Sequence, residues 1–305
     1  MKRKVVKQGA ATLMVSLPSK WAKENKIKKG SEINIDITKN NLLQISSDEI
    51  EVEYNETTIE LTKQIETSIR TLIVNTYRSG YDKILVKFET EKQFHKLNEI
   101  IKTHLIGFDI SHKAKNSCLI ENITEPAPDQ FEKILRKVFF NISELIEVTR
   151  SRINGEETDY YIEIQQRIQK YDNFCRRMIS KKGLEFEEAN LFWAFLNTII
   201  HGQRELYHLN KYLDKNKTNF KDFKFVNRLK NLFNLLKEAY LYKDISKAEL
   251  VHEKEKIIIY KDFYSEIKKK NAENIVYFHL ASSAKHFYLS TSPLIGMLLS
   301  PNNSV

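Results

Sequence analysis

The sequence predicts an α+β protein of several domains: a small strand-rich head, a short α/β connector and a C-terminal bundle of six helices. Three observations predict it. Residues 4–46 are short apolar runs broken by Gly, Pro and Asn, which is the chemistry of brief strands and turns. The chain beyond residue 128 repeats apolar side chains at three- and four-residue spacing, the rhythm of one helix face. Eight Gly and five Pro among 305 residues favour long helices over a many-turned sandwich. The expected boundaries are 1–47, 48–125 and 126–305.

In the head, 5–7 reads as a strand, Gly9-Ala10-Ala11 as a loop of small residues, and 12–17 as a second strand ended by Pro18. A helix of under two turns follows over 20–25, and Lys29-Gly30-Ser31 turns the chain. Residues 32–37 alternate polar and apolar, and Asn40-Asn41 joins them to 42–45 as a hairpin. In the connector, the spacing of Ile59, Ile65, Ile69, Leu72 and Ile73 predicts a helix over 59–78. A strand over 83–88, a helix over 92–105 and a strand pair, 107–110 with 118–123, complete it. Pro126 and Pro128 can continue neither element and mark the second boundary. Helices are expected over 129–153, 158–180, 185–214, 222–242, 247–270 and 271–290. Phe131, Ile134, Leu135, Val138, Phe139, Ile142, Leu145 and Ile146 set the periodicity of the first. Short loops between them imply an up-down bundle.

Charge separates the head from the rest. Residues 1–46 hold ten Lys/Arg against three acids, a net +7, whereas the whole chain is +9 and its remaining 259 residues are nearly balanced. A local positive pole points to nucleic acid as partner; the plainer alternative is a set of lysines that only solubilise a small domain. A head this short cannot bury enough apolar surface alone and has no disulfide or metal pattern. A homodimer in which two copies pool their strands around one core is therefore expected. Cys118 and Cys175 lack CxxC spacing and read as buried free thiols. The start of the chain carries no signal-peptide pattern, and 275–299 is interrupted by His279, Lys285, His286 and Pro293, so a cytoplasmic protein without membrane insertion is expected.

The run 4–21, with Val15-Ser16-Leu17-Pro18-Ser19-Lys20-Trp21 at its centre and Lys28-Lys29-Gly30-Ser31-Glu32 after it, resembles the AbrB/SpoVT/MazE swapped-hairpin family of DNA-binding domains. With Thr76–Asp82 and Leu105–Ile110, the chain more narrowly resembles archaeal proteins that fuse this domain to a helical PhoU-like domain and are named phosphate uptake regulators. The resemblance implies a dimeric swapped-hairpin β-barrel that places basic residues in the major groove of duplex DNA, and a PhoU-like bundle linked to phosphate uptake, with a phosphate-transport component as its partner. The residues it assigns to DNA are Lys2, Arg3, Lys4, Lys7 and Gln8 on the first strand and its loop, and Lys20 and Lys23 on the short helix. Lysines there neutralise phosphates and release counterions. Ser16 stands where relatives often have arginine, and Arg3 is the head's only arginine. Bidentate reading of guanine is thus poor, and a weak or shape-based sequence preference is expected.

PhoU-like domains hold metal clusters on repeated Glu/Asp-x-x-x-Asp motifs. In this chain Gln169 and Asp172-Asn173 stand at the first such place and Glu205 with Leu209 at the second, so no cofactor is expected. His201, Glu205 and His208 share one helix face and have side chains suited to zinc; a polar, half-buried bundle face is the reading preferred. Asp159/Glu163 and Asp262/Glu266 read as solvated surface. The aromatics Phe186, Phe192, Trp193, Phe195 and Tyr207 read as bundle core or dimer interface. No Gly-rich phosphate loop, GxSxG or HExxH occurs, and an enzyme is not expected. The alternatives to a DNA-binding regulator are an interaction protein, antitoxin-like or transporter-regulating, that uses the hairpin only to dimerise, and a metal-dependent sensor.

Overall fold

The computed structural model describes residues 2–9, 12–37, 42–47, 55–61, 66–124, 130–182, 188–218, 220–269 and 273–300. The expected features at Ala10-Ala11, Asn40-Asn41, Pro126/Pro128, Gly183 and Phe186 lie outside these residues. The chain divides into two compact units, 1–54 and 55–305.

The first unit holds two antiparallel pairs and one short helix. β1 (Val6–Gln8) pairs with β2 (Thr12–Met14), with Lys7 opposite Leu13. After Pro18 comes α1 (Ser19–Glu24). A turn with Gly30 at φ +89° leads to β3 (Ile33–Ile37), paired with β4 (Leu43–Ser47). Among the described residues of this unit, no hydrophobic side chain is buried.

The second unit begins with a four-stranded sheet. β5 (Glu56–Glu60) and β6 (Lys83–Lys87) are parallel, and β7 (Phe108–Lys113) and β8 (Ser117–Asn122) complete the order β5-β6-β8-β7 with antiparallel pairing. The helix expected over 59–78 is a strand at its start and becomes α2 (Glu66–Arg78) only later. Thr57, Thr58 and Ile59 are β-branched, and pairing with β6 rewards their extended preference more than a helix would. α3 (Glu91–His104) starts at a complete capping box between Thr90 and Gln93. Gly107, at φ +80°, follows it; a Cβ there would stand 2.0 Å from the Thr124 carbonyl oxygen, so the turn into β7 requires glycine. Ile69, Ile73, Ile84, Val86, Leu97, Ile101 and Ile120 form the core between sheet and helices.

The bundle consists of α4 (Gln130–Ile153), α5 (Tyr160–Lys182), α6 (Ala189–Leu213), α7 (Phe223–Leu241), α8 (Ile245–Lys256), α9 (Tyr264–Ile267), α10 (Asn274–Leu289) and α11 (Thr291–Leu298). A π-helical segment, Ile257–Phe263, joins α8 to α9, so the helix expected over 247–270 is one rod with a wider turn in it. α11 is an addition to the six expected helices. Pro293 occupies the first turn of α11, where the N–H it lacks has no helical partner.

Helix α5 ties the bundle to the α/β layer. Asn173 donates to the His104 carbonyl at 2.9 Å, and Arg78 donates to Asp172 at 2.9 Å. Arg177 reaches the carbonyls of Tyr77 and Tyr81, at 3.1 and 2.8 Å, and the Asp82 carboxylate at 2.5 Å. Its guanidinium lies over the Tyr77 and Phe108 rings, so the buried charge is met by a carboxylate, two backbone carbonyls and two π faces.

Candidate nucleic-acid interface

Every basic residue assigned to DNA lies in the first unit, and each is exposed. Lys2, Arg3 and Lys4 precede β1, Lys7 and Gln8 are in it, and Lys20 and Lys23 are on α1. Arg3 donates to Ser16 at 3.4 Å, bringing the head's one guanidinium beside the residue before Leu17-Pro18. Lys20 stands 3.9 Å from Glu24, with both side chains largely in solvent, and such a pair restrains the lysine weakly. Strand alternation puts Lys7 on the opposite side of the first hairpin from Gln8. The first hairpin alone therefore does not present all its polar residues in one direction.

The second hairpin sorts its residues by face. The register pairs Ile35 with Ile45 and Ile37 with Leu43, so Ile33, Ile35, Ile37, Leu43 and Ile45 share one side, while Asn34, Asp36 and Ser46 share the other. Ile35, Ile37 and Leu43 are 56, 72 and 65% exposed. On the first hairpin Val6 is 58% and Leu13 70% exposed. With Val5, Val15 and Leu42 also exposed, at least eight aliphatic side chains of this 54-residue unit stand in water, far from a closed fold. These apolar residues, not singled out by charge or motif, are what the register of β3 and β4 reveals.

The other candidates lie in the bundle. His201, Glu205 and His208 share a side of α6, facing α10: His279 Nδ1 is 2.9 Å from a Glu205 oxygen, and the His201 and His286 rings stack at 5.7 Å. Burial and the Arg204 guanidinium push the His201 imidazole below its ordinary range. Among the described residues no group of three or more His, Cys, Asp or Glu is arranged to hold a metal ion. Phe195 is buried, Phe192 packs against the bundle core, and Trp193 lies under the Arg176 guanidinium at 4.8 Å. Asp262 and Glu266, expected on the solvated surface, turn partly inward instead, Asp262 to Arg228 and Glu266 to Lys269. Among the described residues no helix is long and apolar enough to cross a membrane.

A basic, strand-paired unit with no buried hydrophobic side chain among its described residues, joined to an α/β layer and a helical bundle, is the class of molecule these observations define. Residues 6–51 match the model of the family described as antidote-toxin recognition MazE, bacterial antitoxin. The match covers the first unit and stops before the α/β layer. No curated protein and no solved structure matches the chain.

Proposed function

We propose that the chain is a non-catalytic regulator that binds duplex DNA as a homodimer, its two first units pooling their hairpins in a swapped-hairpin barrel. The observation that carries this reading is the uncovered apolar face of Ile35, Ile37 and Leu43 within the segment that holds most of the chain's net charge. A second copy of that face is self-complementary under a two-fold axis and would supply the missing core. Pairing would also bring two +7 segments together, about +14 on one assembly, which attracts duplex DNA strongly at low salt. The similarity of residues 6–51 to the MazE family supports the same assignment.

The test is the salt dependence of duplex binding by the full chain and by its Lys4→Glu/Lys7→Glu/Lys20→Glu variant. Binding by the parent should weaken steeply as salt rises, and the variant should lose it while remaining dimeric. Undiminished binding by the variant would remove the assigned face from consideration.

The matched family's printed description supports a second reading, recognition of a toxin protein by the first unit. A chain that dimerises but does not shift duplex DNA even at low salt would favour it. The link to phosphate uptake, through a PhoU-like body and a transport component, rests on resemblance alone. It is tested by whether deleting the gene changes phosphate uptake in its host.

A further inference from the structure

We propose that the outer face of the α8–α9 rod is an amphipathic surface that adsorbs to an anionic lipid bilayer. Tyr260, Tyr264 and Ile267 are 58, 47 and 42% exposed, with the Tyr260 and Tyr264 rings 5.5 Å apart at their centroids, and Ile257, at the start of the π-helical segment, is 38% exposed. The inner face of the same rod is anchored: Ala248, Val251 and Ile258 are buried in the bundle core. The exposed residues are thus held outward by packing on the opposite side. Two exposed tyrosines in ring contact, with exposed isoleucines before and after them on the same rod, are a patch that calls for a partner.

Charge identifies the partner. Lys256, Lys261 and Lys268 are interspersed with these residues along the rod, are exposed and make no ion pair with any described residue. Of the acids near the patch, Glu255 is buried and paired with Lys285, Asp262 is paired with Arg228 and Glu266 with Lys269 three residues on, while Glu249 and Glu253 are exposed farther back on α8. The outward surface of 256–268 is consequently positive and apolar at once. A second copy of the rod is a poor fit, because it would gather two sets of Lys256, Lys261 and Lys268 at one seam, and the π-helical segment departs from the regular winding a helix seam needs. An anionic bilayer fits each element. Tyrosine rings sit at the headgroup level with the hydroxyl toward water, isoleucines enter the acyl boundary, and lysine stems extend their ammonium groups to phosphates. Residues 257–267 span about 16 Å, enough to lie in the interface and far too short to cross it.

The experiment is flotation of the full chain with vesicles of phosphatidylglycerol and phosphatidylcholine, against vesicles of phosphatidylcholine alone. The basic first unit is itself attracted to anionic lipid, so three variants separate the surfaces: Y260S/Y264S, K261E/K268E, and K2Q/K4Q/K7Q. The parent should float with the anionic vesicles only. Each rod variant should lower partition by at least about ten-fold, with unchanged circular dichroism and melting, and the first-unit variant should float nearly as the parent does. Parent-like flotation of Y260S/Y264S would overturn the proposal, as would abolition of binding by K2Q/K4Q/K7Q alone. Loss of self-association by Y260S/Y264S without vesicles would assign the face to a second copy instead and equally overturn it.

Discussion

Asp82 accepts hydrogen bonds from Arg177 at 2.5 Å and Lys181 at 2.8 Å, with the Asp82 and Arg177 side chains 5 and 2% exposed. Burial raises the carboxyl's proton affinity, but the Lys181 hydrogen bond and the Arg177 guanidinium outweigh it and hold the pKa below the ordinary 3.8. A depressed acid contributes stability that is complete above its unfolded value and is lost as pH falls through the folded one. Acid unfolding below pH 3.8 should therefore become less steep in Asp82→Ala. At neutral pH the same variant leaves Arg177 buried without its acid, and urea unfolding should register a loss of about 3–5 kcal/mol. At Gly202, a Cβ would meet the Phe287 ring at 2.5 Å; Gly202→Ala should cost about 1–3 kcal/mol, partly recovered by Phe287→Leu, as read by thermal melting. Burial pushes the Cys118 thiol up to about 11 and Cys175 well above its ordinary value. Neither should react with an aromatic disulfide reagent at neutral pH until denaturant opens the fold. Arg177 and Gly202 carried no signal in the sequence, and Asp82 entered only as the end of the Thr76–Asp82 segment with no role of its own, because each is defined by a residue distant along the chain.

Among the elements, the β3–β4 hairpin is where alternation in the sequence translated most directly into structure. Polar and apolar positions alternate over 32–37, and the paired strands keep that alternation as two chemically distinct faces. Ile35→Asp places a carboxylate in the middle of the apolar face. If two copies share that face, the unpaired charge costs several kcal/mol, and sedimentation should show dimerisation weakened by at least about a hundredfold. Circular dichroism from the helices of the second unit should be unchanged. β5 and α11 both departed from expectation. Apolar spacing ran through β5 as though it were helix, yet a strand partner eighty-three residues into the chain, at Lys83, decided its form. α11 continues the helical part past the expected end at 290, with Pro293 as an acceptable first-turn residue.

At the scale of the molecule, the two units differ in what holds them together. The second has two hydrophobic cores of its own, whereas the first has none among its described residues. Stability of the first unit should then depend on protein concentration and that of the second should not. The two tryptophans fall one in each unit, Trp21 in α1 and Trp193 in α6. Dilution should accordingly shift the emission of Trp21, isolated in Trp193→Phe, toward that of exposed indole. The emission of Trp193, isolated in Trp21→Phe, should hold constant. Equal response of both, or of neither, would contradict an association-dependent first unit.

The sequence by itself determined the α+β character, the helical rhythm of the bundle and the concentration of positive charge in the head, because periodicity and composition are properties of neighbouring residues. It also exposed the head's deficit of core, since length alone limits how much apolar surface can be buried. Only the tertiary structure decided that α5 would bind the sheet layer through Arg177 and Asp82, that β5 would be a strand, and that Ile257, Tyr260, Tyr264 and Ile267 would be left facing water while their neighbours packed. Those outcomes depend on which surfaces meet, and spacing along the chain does not encode where a second element will lie.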